Sequence, residues 1–345
     1  MLIKTVDAKH IKPYHEHMKK TALITGILGQ DGPYLAKLLI EKGYTVYGML
    51  RRHSNHNFDN TDFLGVTSQI NFVQGDLCDE TSIRNLIQRL RPNEIYNLGA
   101  QSFVGLSWDQ INFTTQVNAF GTLAFLQAIR DYSPMTKFYQ ASTSEMYGDV
   151  SGNKKQNEET SFKPQNPYAI AKLYSYWMTN NFKTSYGLFA TNGILFNHES
   201  PIRGKEFVTR KITDGIAQIK LGLKDSLSLG NLDSKRDWGF AGDYVEAMWL
   251  IMQHKKPDNF VIATGETHSI KDFLHIAFDH VGIKNWKNFV KIDPRFKRPT
   301  ETSHLHGDSS KARKQLGWKP KVNLEQLVKM MLDADLKRYS DLKSS

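Results

Sequence analysis

A short apolar strand, a glycine-rich turn and a helix follow one another between residues 21 and 42, and they restrict the possible folds more than any other feature. The turn reads Gly-x-x-Gly-x-x-Gly, with glycines at 26, 29 and 32. Gly26 permits the tight turn, Gly29 lets the backbone approach a pyrophosphate, and Gly32 lets the helix pack closely on the strand. The helix N-terminus adds N–H groups and a positive dipole end. The spacing predicts the first unit of a nucleotide-binding sheet, although an ordinary glycine turn would show the same letters.

Strands and helices alternate beyond this unit. Further strands are predicted to begin near residues 44, 71, 94, 138 and 189, and helices are predicted at 33–42, 81–90 and 113–130. This order predicts an α/β fold: a doubly wound, Rossmann-type parallel sheet with helices on both faces. Ligands bind such sheets at the carboxyl ends of the strands.

The end of the second strand predicts which cofactor the sheet binds. An NAD site places an acidic residue on the adenosine ribose, whereas this strand ends in Arg51 and Arg52. Guanidinium groups suit a 2′-phosphate, so we predict NADP; the alternatives are a solvated basic loop or a subunit contact. Asp76 and Leu77, at the end of the third strand, are placed to contact the adenine. The small residues that end the fourth strand, 98–102, would let the backbone pass close to the cofactor.

The regular alternation ends after residue 197. We predict an NADP-binding Rossmann domain over residues 19–197 and a smaller mixed α/β substrate domain over residues 198–345, interleaved with the first near residues 240–265. Residues 1–18 are polar, and we interpret them as a disordered leader or tag-like arm. Their histidines, His10, His15 and His17, are not expected to form a metal site.

Two elements bring reactive side chains to one place. Thr143 and Glu145 lie where the fifth strand ends, and Tyr168 and Lys172 are four residues apart, on one face of the next helix. A free phenol has a pKa of about 10, and the Lys172 ammonium together with a positive nicotinamide ring would lower it toward neutrality. Tyr168 would then take the proton of a hydroxyl group under oxidation, while Thr143 hydrogen-bonds that group and Lys172 holds the nicotinamide ribose.

Glu145 indicates a second proton transfer. Oxidation at one sugar carbon makes the neighbouring C–H acidic, because the resulting carbanion becomes an enolate. A carboxylate there would remove that proton and then, as an acid, help the hydroxyl group on the next carbon to leave. Hydride return to the alkene would complete a 4-keto-6-deoxy sugar with loss of water. On the residues alone, Glu145 is equally well a structural salt-bridge residue or a charge at a helix N-terminus.

Motifs along most of the chain resemble those of the GDP-mannose 4,6-dehydratase family, which belongs to the extended short-chain dehydrogenases/reductases. The motifs lie at residues 26–32, 51–52, 139–145, 168–174, 196–201, 236–239 and 298–301. The Thr143-Ser144-Glu145 sequence differs from the Thr-Asp-Glu pattern typical of the related dTDP-glucose dehydratases. The resemblance implies a hydro-lyase that converts GDP-D-mannose to GDP-4-keto-6-deoxy-D-mannose with NADP, the first step toward GDP-fucose or GDP-rhamnose.

The same resemblance assigns roles to individual residues. The catalytic residues are Thr143, Glu145, Tyr168 and Lys172. The cofactor contacts are Gly26, Gly29, Gln30, Asp31, Gly32, Arg51, Arg52, Asp76, Leu77, Leu98, Gly99, Ala100, Gln101, Ser102, Tyr168, Lys172, His198 and Arg203. The GDP-mannose contacts are Ser102, Asn197, Lys211, Arg236, Arg298 and Glu301. The resemblance also implies a homodimer or homotetramer, in which the loop at 51–54 would contribute to a neighbour's cofactor site.

Three residues depart from the pattern expected for the family. Pro33 follows the third glycine where serine is expected, and the first turn of a helix tolerates proline there. Phe103 and Trp108 stand where histidine and phenylalanine are expected.

Composition bounds the remaining interpretations. The chain has 345 residues and a formal net charge of +10, but its lysines are spread along the sequence, so we do not expect it to bind nucleic acid. The segment before Met18 lacks the apolar region of a signal peptide, and no apolar run is long enough to span a membrane. One cysteine, Cys78, excludes an intrachain disulfide and fits a reducing compartment. We therefore expect a cytoplasmic enzyme that needs no metal.

Three rival interpretations remain at this stage. A sugar-nucleotide 4-epimerase or 4-reductase would need Tyr168 and Lys172 but not Glu145, and reduction of the keto product remains open as a side activity. A non-catalytic nucleotide sensor would bind the cofactor without turnover. A basic nucleic-acid binder would show binding that falls steeply with salt.

Overall fold

The structure, a computed structural model, describes residues 19–150, 154–296 and 305–344. The predicted leader at 1–18 and the predicted substrate residues Arg298 and Glu301 lie outside these ranges. The described strands are β1 (Thr21–Thr25), β2 (Thr45–Leu50), β3 (Asn71–Gln74), β4 (Glu94–Asn97), β5 (Lys137–Thr143), β6 (Ala190–Leu195), β7 (Asn197–Glu199), β8 (Leu227–Leu229), β9 (Lys235–Arg236), β10 (Trp238–Phe240), β11 (Phe260–Ile262), β12 (His268–Ser269) and β13 (Val290–Ile292). The described α-helices are α1 (Asp31–Glu41), α2 (Asp59–Phe63), α3 (Glu80–Leu90), α4 (Ile111–Thr115), α5 (Gly121–Tyr132), α6 (Pro167–Tyr186), α7 (Val208–Lys220), α8 (Ala241–Gln253), α9 (Ile270–His280), α10 (Ser310–Leu316) and α11 (Leu324–Ser344).

A seven-stranded sheet in the order β3-β2-β1-β4-β5-β6-β11 organises the chain. Every neighbouring pair in it is parallel. The chain winds outward from β1 to β3 and then returns to the other side of β1, so the strand order reverses between β1 and β4. A crevice forms at the carboxyl ends of the strands at such a reversal. The predicted doubly wound parallel sheet is confirmed.

Helices cover both faces of this sheet. Residues 22–25 of β1 are fully buried, and their side chains alternate between the faces. Ile24 packs in the cluster that contains α1 and α8, whereas Leu23 packs in the cluster that contains α3, α5 and α6. Burial on both faces explains the consecutive apolar residues of β1 and β11.

Two elements differ from the predicted pattern. The fourth strand ends at Asn97 rather than continuing to residue 102, because the N–H of Gly99 turns to donate to Thr25 Oγ1 at 2.8 Å. The predicted helix at 113–130 is present, but a π-helical turn at Gln116–Phe120 separates α4 from α5. This turn places the Asn118 amide against both backbone groups of Gln101.

The C-terminal part of the chain builds a second core. Helices α7, α9 and α11 pack together there, beside the small parallel pair of β8 and β13. Two elements of the C-terminal part join the main sheet instead. Helix α8 packs against α1, and β11 pairs with β6 as the edge strand. Both elements lie within residues 240–265; the division into two interleaved domains stays a prediction. No helix among the described residues combines the length and the apolar composition that crossing a membrane requires.

Candidate active site

The glycine turn leaves no room for side chains where it meets the sheet. Gly26 has a φ of +67°, and a Cβ atom there would lie 2.9 Å from the Cα of Gly99. A Cβ at Gly32 would lie 2.6 Å from the carbonyl oxygen of Gly26. At Gly29 the nearest neighbour is that same oxygen at 3.2 Å. The turn therefore offers bare backbone at the N-terminus of α1, which suits a pyrophosphate.

A cavity of about 780 Å³ opens at the carboxyl ends of β1, β4 and β5, and the glycine turn forms part of its wall. Most of the predicted site residues line it: Gly26, Gly29, Gln30, Asp31, Gly32, Leu98, Gly99, Ala100, Ser102, Thr143, Glu145, Tyr168, Lys172, Asn197, His198, Arg203, Lys211 and Arg236. The described residues that were predicted for the site but do not line this cavity are Arg51, Arg52, Asp76, Leu77 and Gln101.

These outlying residues have other surroundings. Arg51 and Arg52 follow β2 at the same edge of the sheet, and both are exposed. The Asp76 carboxylate accepts a hydrogen bond from the Cys78 N–H at 2.9 Å. Gln101 is buried, and the Asn118 amide takes up its backbone groups. A cofactor role for these residues stays a prediction.

Thr143 and Glu145 reach the cavity from the end of β5. Thr143 is the last residue of the strand, and its Oγ1 accepts the Glu145 N–H at 3.2 Å. The Glu145 carboxylate is buried, and its Oε2 accepts from Asn166 Nδ2 at 3.2 Å. The other end of the Asn166 amide caps α6, since its Oδ1 accepts the Ala169 N–H at 2.8 Å. Sequence reasoning missed Asn166, although Asn-Pro at a helix start is a readable capping signal.

Tyr168 and Lys172 enter from the first turns of α6, and both are buried. The Lys172 ammonium donates to the carbonyl oxygen of Ala141 at 2.9 Å and lies 5.9 Å from the Tyr168 ring centre. Burial lowers the pKa of Lys172 to about 8. Burial raises the pKa of Tyr168 to about 12; the Thr143 hydroxyl opposes this rise and the Glu145 charge adds to it. In the protein alone desolvation therefore dominates, and the lowered pKa expected beside a positive nicotinamide ring stays a prediction.

His198 forms a charged pair with Asp31. Its Nδ1 lies 2.8 Å from the Phe196 carbonyl oxygen, and its Nε2 lies 2.8 Å from Asp31 Oδ2. Both partners are acceptors, so the geometry favours the imidazolium, in which both ring nitrogens carry protons. Burial disfavours this charge, but Asp31 outweighs burial and raises the pKa of His198. Despite burial, His198 holds the pKa of Asp31 below its usual value. The Tyr244 ring stacks on the imidazole with centres 4.6 Å apart.

Gln30 ties the glycine turn to the segment that follows β7. Its Nε2 donates to the His198 carbonyl oxygen at 3.0 Å and to Asp31 Oδ1 at 3.1 Å. Its Oε1 accepts from the Ser200 hydroxyl at 3.0 Å. These contacts hold the first βα unit and residues 198–200 in one arrangement.

Basic side chains from the C-terminal half of the chain also line the cavity. They are Lys211, Arg236 and Arg295, of which Arg295 is an addition to the predicted set. Burial, with the charge of Lys224, lowers the pKa of Lys211. Among the described residues, the buried Oδ1 of Asn197 has no hydrogen-bond partner, although it borders this space. Guanidinium groups beside an open amide suit a polar, anionic ligand.

The three departures from the expected pattern fit the structure. Pro33 is buried in the first turn of α1. Phe103 lines the cavity, and its ring meets Phe207 edge to face at 5.9 Å. Trp108 ends a 3-10 turn close to the start of α4 and is partly exposed.

The sheet, the glycine cradle and the Thr-Glu-Tyr-Lys cluster define an extended short-chain dehydrogenase/reductase. A family model described as GDP-mannose 4,6 dehydratase matches residues 23–331. The chain is 49% identical over 340 residues to GDP-mannose 4,6 dehydratase 1 of Arabidopsis thaliana. The matched region covers 96% of this chain and 92% of that protein. It is 47% identical over 342 residues to the human GDP-mannose 4,6 dehydratase, and the matched region covers 92% of both proteins. This chain belongs to the GDP-mannose 4,6-dehydratase family.

Solved structures show the same fold. A dTDP-glucose 4,6-dehydratase from Streptomyces venezuelae, solved with NAD bound, superposes with a TM-score of 0.82. The match covers 93% of this chain and 98% of that one at 20% sequence identity.

Proposed function

We propose that this chain is a hydro-lyase that converts GDP-mannose to GDP-4-keto-6-deoxy-mannose with a bound nicotinamide cofactor. The observation that carries the proposal is the meeting of Thr143, Glu145 and Tyr168 in one cavity with the glycine turn. An oxidation site needs the tyrosine, and an elimination site needs the buried carboxylate as well.

The cofactor is NADP in this proposal. The glycine cradle and the N-terminus of α1 would hold its pyrophosphate, and the pair of Arg51 and Arg52 would meet the 2′-phosphate. When bound, NADP⁺ would accept a hydride from C4 of the sugar, and the NADPH formed would return it to C6. Lys172, buried beside Tyr168, would bind the nicotinamide ribose.

Tyr168 would accept the proton of the C4 hydroxyl. In the protein alone its pKa is about 12, so its task requires a nearby positive charge that favours the phenolate. Thr143 lies within hydrogen-bonding reach of the phenol and would orient the same sugar hydroxyl. The Lys172 ammonium, 5.9 Å from the centre of the Tyr168 ring, adds a second positive charge near the phenol.

Glu145 would carry out the second proton transfer. After C4 becomes a ketone, its carboxylate would remove the C5 proton, and the resulting acid would protonate the C6 hydroxyl as water leaves. Because Asn166 fixes the Oε2 atom at 3.2 Å, the Oε1 atom is the one available for this work.

The basic residues from the C-terminal half of the chain would hold the GDP part of the substrate. Lys211 and Arg236 would pair with the diphosphate, and the open Oδ1 of Asn197 would accept from a donor on the ligand. Arg298 and Glu301 remain predicted members of this set.

Deuterium incorporation tests the proposal. Purified protein would be incubated with GDP-mannose and catalytic NADP⁺ in D₂O, and the product analysed by mass spectrometry. Loss of water with one deuterium at C5 supports the proposed sequence of steps. Glu145→Gln should abolish water loss, and Glu159→Gln, which changes an exposed carboxylate, should not. A product that keeps the elements of water would refute the dehydratase and favour an epimerase or reductase.

We also propose that the chain is a homo-oligomer. Helix α6 presents Ile170, Tyr174 and Trp177 to solvent at positions i, i+4 and i+7. Phe113 and Phe120, on the neighbouring helical segment, are exposed on the same side, and the Phe120 ring lies 5.9 Å from that of Tyr174. Monomeric proteins seldom expose a continuous apolar face of this kind, so a second copy is the expected partner.

A further inference from the structure

A triad of charges, centred on a buried carboxylate, lies next to the cavity wall. Asp335, on α11, is fully buried between two arginines. Arg210 of α7 donates from Nε to both carboxylate oxygens at 3.0 Å and from Nη2 at 2.6 Å. Arg338 donates from Nη1 at 2.8 Å, and the Thr213 hydroxyl donates at 2.7 Å. The carboxylate is thus saturated with donors.

Each arginine also binds a backbone carbonyl of one turn. Arg210 Nη1 donates to the carbonyl oxygen of Arg203 at 2.9 Å. Arg338 Nη2 donates to the carbonyl oxygen of Pro201 at 2.8 Å, and its guanidinium lies 5.0 Å from the ring centre of Phe63. The two guanidinium groups and the Asp335 carboxylate together have a net charge of +1. Among the described residues, these two carbonyl oxygens accept the hydrogen bonds that the arginines do not give to Asp335.

The turn at residues 201–203 connects this triad to the cavity. The Arg203 N–H donates to the Ser200 carbonyl oxygen at 3.0 Å. The Arg203 side chain lies on the cavity wall, with its guanidinium 3.5 Å from the Phe207 ring centre and its Nε 3.1 Å from Glu199 Oε2. Its backbone carbonyl is therefore held by Arg210, while its side chain lines the cavity and pairs with Glu199.

Apolar residues in place of the triad would serve a core equally well. Removing charges from water costs more than their attraction often returns, and apolar replacements of buried ion pairs are frequently neutral or stabilising. Apolar side chains, however, cannot bind two carbonyl groups of a turn. The advantage of the charged triad over apolar residues is therefore that it fixes the geometry of the turn.

We propose that Asp335 is a positioning residue: it orients Arg210 and Arg338, which hold the turn at 201–203 and so place the Arg203 guanidinium against the phosphates of the bound dinucleotide. The part of this inference that concerns the dinucleotide rests on the proposed function. The part that concerns the turn stands on the hydrogen bonds alone.

Hydrogen exchange in the ligand-free protein tests the hold on the turn. Arg338→Met removes the bond to Pro201 but leaves the pair of Arg210 and Asp335 intact. We expect the amide of Arg203 to exchange about tenfold faster, since one charged hydrogen bond is worth a factor of that order. Leu327→Ala, a cavity in the core of the same helix, should leave this amide unchanged. An unchanged Arg203 amide in Arg338→Met overturns the inference.

A double-mutant cycle on NADPH binding tests the route through Arg203. Arg338→Met and Arg203→Met should each weaken NADPH binding about tenfold, and the double variant should bind no more weakly than Arg203→Met. Purely structural damage would instead lower affinity by the same factor with and without Arg203, and that result overturns the proposal. Asp335→Asn should repeat the Arg338→Met result; if it does not fold, Arg338→Met still decides, because that side chain is 32% exposed.

These measurements separate the two proposals. A wild-type protein that binds NADPH but does not dehydrate GDP-mannose would refute the proposed function and leave the binding cycle interpretable. A wild-type protein without dinucleotide affinity would refute the dinucleotide part of the inference, while the exchange experiment would still decide on the turn.

Discussion

The side-chain amide of Asn166 joins the start of helix α6 to the carboxylate of Glu145. Its nitrogen donates to Glu145 Oε2 over 3.2 Å, and its oxygen accepts the Ala169 N–H over 2.8 Å. One residue thereby fixes the position of the helix that carries Tyr168 and the orientation of the proposed base. The two partners of the amide can be removed separately.

Asn166→Ser should keep the cap and lose the contact with Glu145. Serine caps helices about as well as asparagine, so the unfolding free energy should change by less than about 0.5 kcal/mol. Its hydroxyl is too short to reach the carboxylate, and kcat should fall about tenfold as the base loses its fixed geometry. Asn166→Ala should show the same kcat and cost about 1 kcal/mol more in stability. A fully active serine variant would show that the amide serves the helix alone.

Tyr168 should ionise only when the oxidised cofactor is bound. In the free protein burial raises its pKa to about 12, so the difference in ultraviolet absorbance between wild type and Tyr168→Phe should show no phenolate at pH 8. Saturating NADP⁺ should make this phenolate signal appear, because a positive ring favours the anion. Tyr168→Phe should lower kcat by a factor of about 10² to 10⁴, the usual contribution of general base catalysis. A phenolate signal without cofactor would contradict the role of burial.

Sequence reasoning could predict what a local pattern encodes. The glycine spacing predicted a tight turn before a helix, and the four-residue separation of Tyr168 and Lys172 predicted that they share a helix face; the turn and both side chains line the cavity. It did not find the triad of Asp335, because Arg210 and Asp335 are 125 residues apart and no periodicity links them. It also did not reveal how strongly burial raises the pKa of Tyr168 in the protein alone, since desolvation depends on how distant segments enclose the phenol. Local motifs predict which side chains lie in the site. Tertiary packing determines the protonation state of those side chains and the hydrogen bonds that hold them.

The pair of Asp31 and His198 should make stability depend on pH. The pKa of His198 is raised on folding, so its contribution is present below the unfolded value of about 6.5 and is lost as pH rises through the folded value. The pKa of Asp31 is lowered, so its contribution is present above about 3.9 and is lost as pH falls through the folded value. The full effect, about 1–3 kcal/mol, should therefore lie between about pH 4 and 6.5.

Urea unfolding of wild type and Asp31→Asn across this range checks the window. The difference in unfolding free energy should be largest near pH 5 and should shrink above neutrality. Asp279→Asn is a matched control, because its partner His275 lies 3.2 Å away in a mostly exposed pair. That control should cost less than about 0.5 kcal/mol at any pH. A constant gap between wild type and Asp31→Asn would contradict the assignment of the charged pair.

Arg51 and Arg52 should decide between the two forms of the cofactor. The double variant Arg51→Met/Arg52→Met should bind NADP⁺ about 10- to 100-fold more weakly, as expected for lost charged hydrogen bonds to a phosphate. Affinity for NAD⁺, which has no 2′-phosphate, should change less than about twofold. Arg84→Met, on exposed helix surface beside Glu80, controls for the loss of net charge. Equal losses for both cofactors would place the two arginines elsewhere than at the 2′-phosphate.

Trp177 should hold the oligomer together. Its side chain is 58% exposed on the apolar face of α6, so in a symmetric assembly it would be covered by the same face of a second copy. Trp177→Lys would bury two unpaired charges across such an interface, and sedimentation should show smaller particles than wild type at equal concentration. Met135→Lys, at a residue 90% exposed before β5, should sediment as wild type. Identical sedimentation of Trp177→Lys and wild type would remove the apolar face of α6 as the contact between copies.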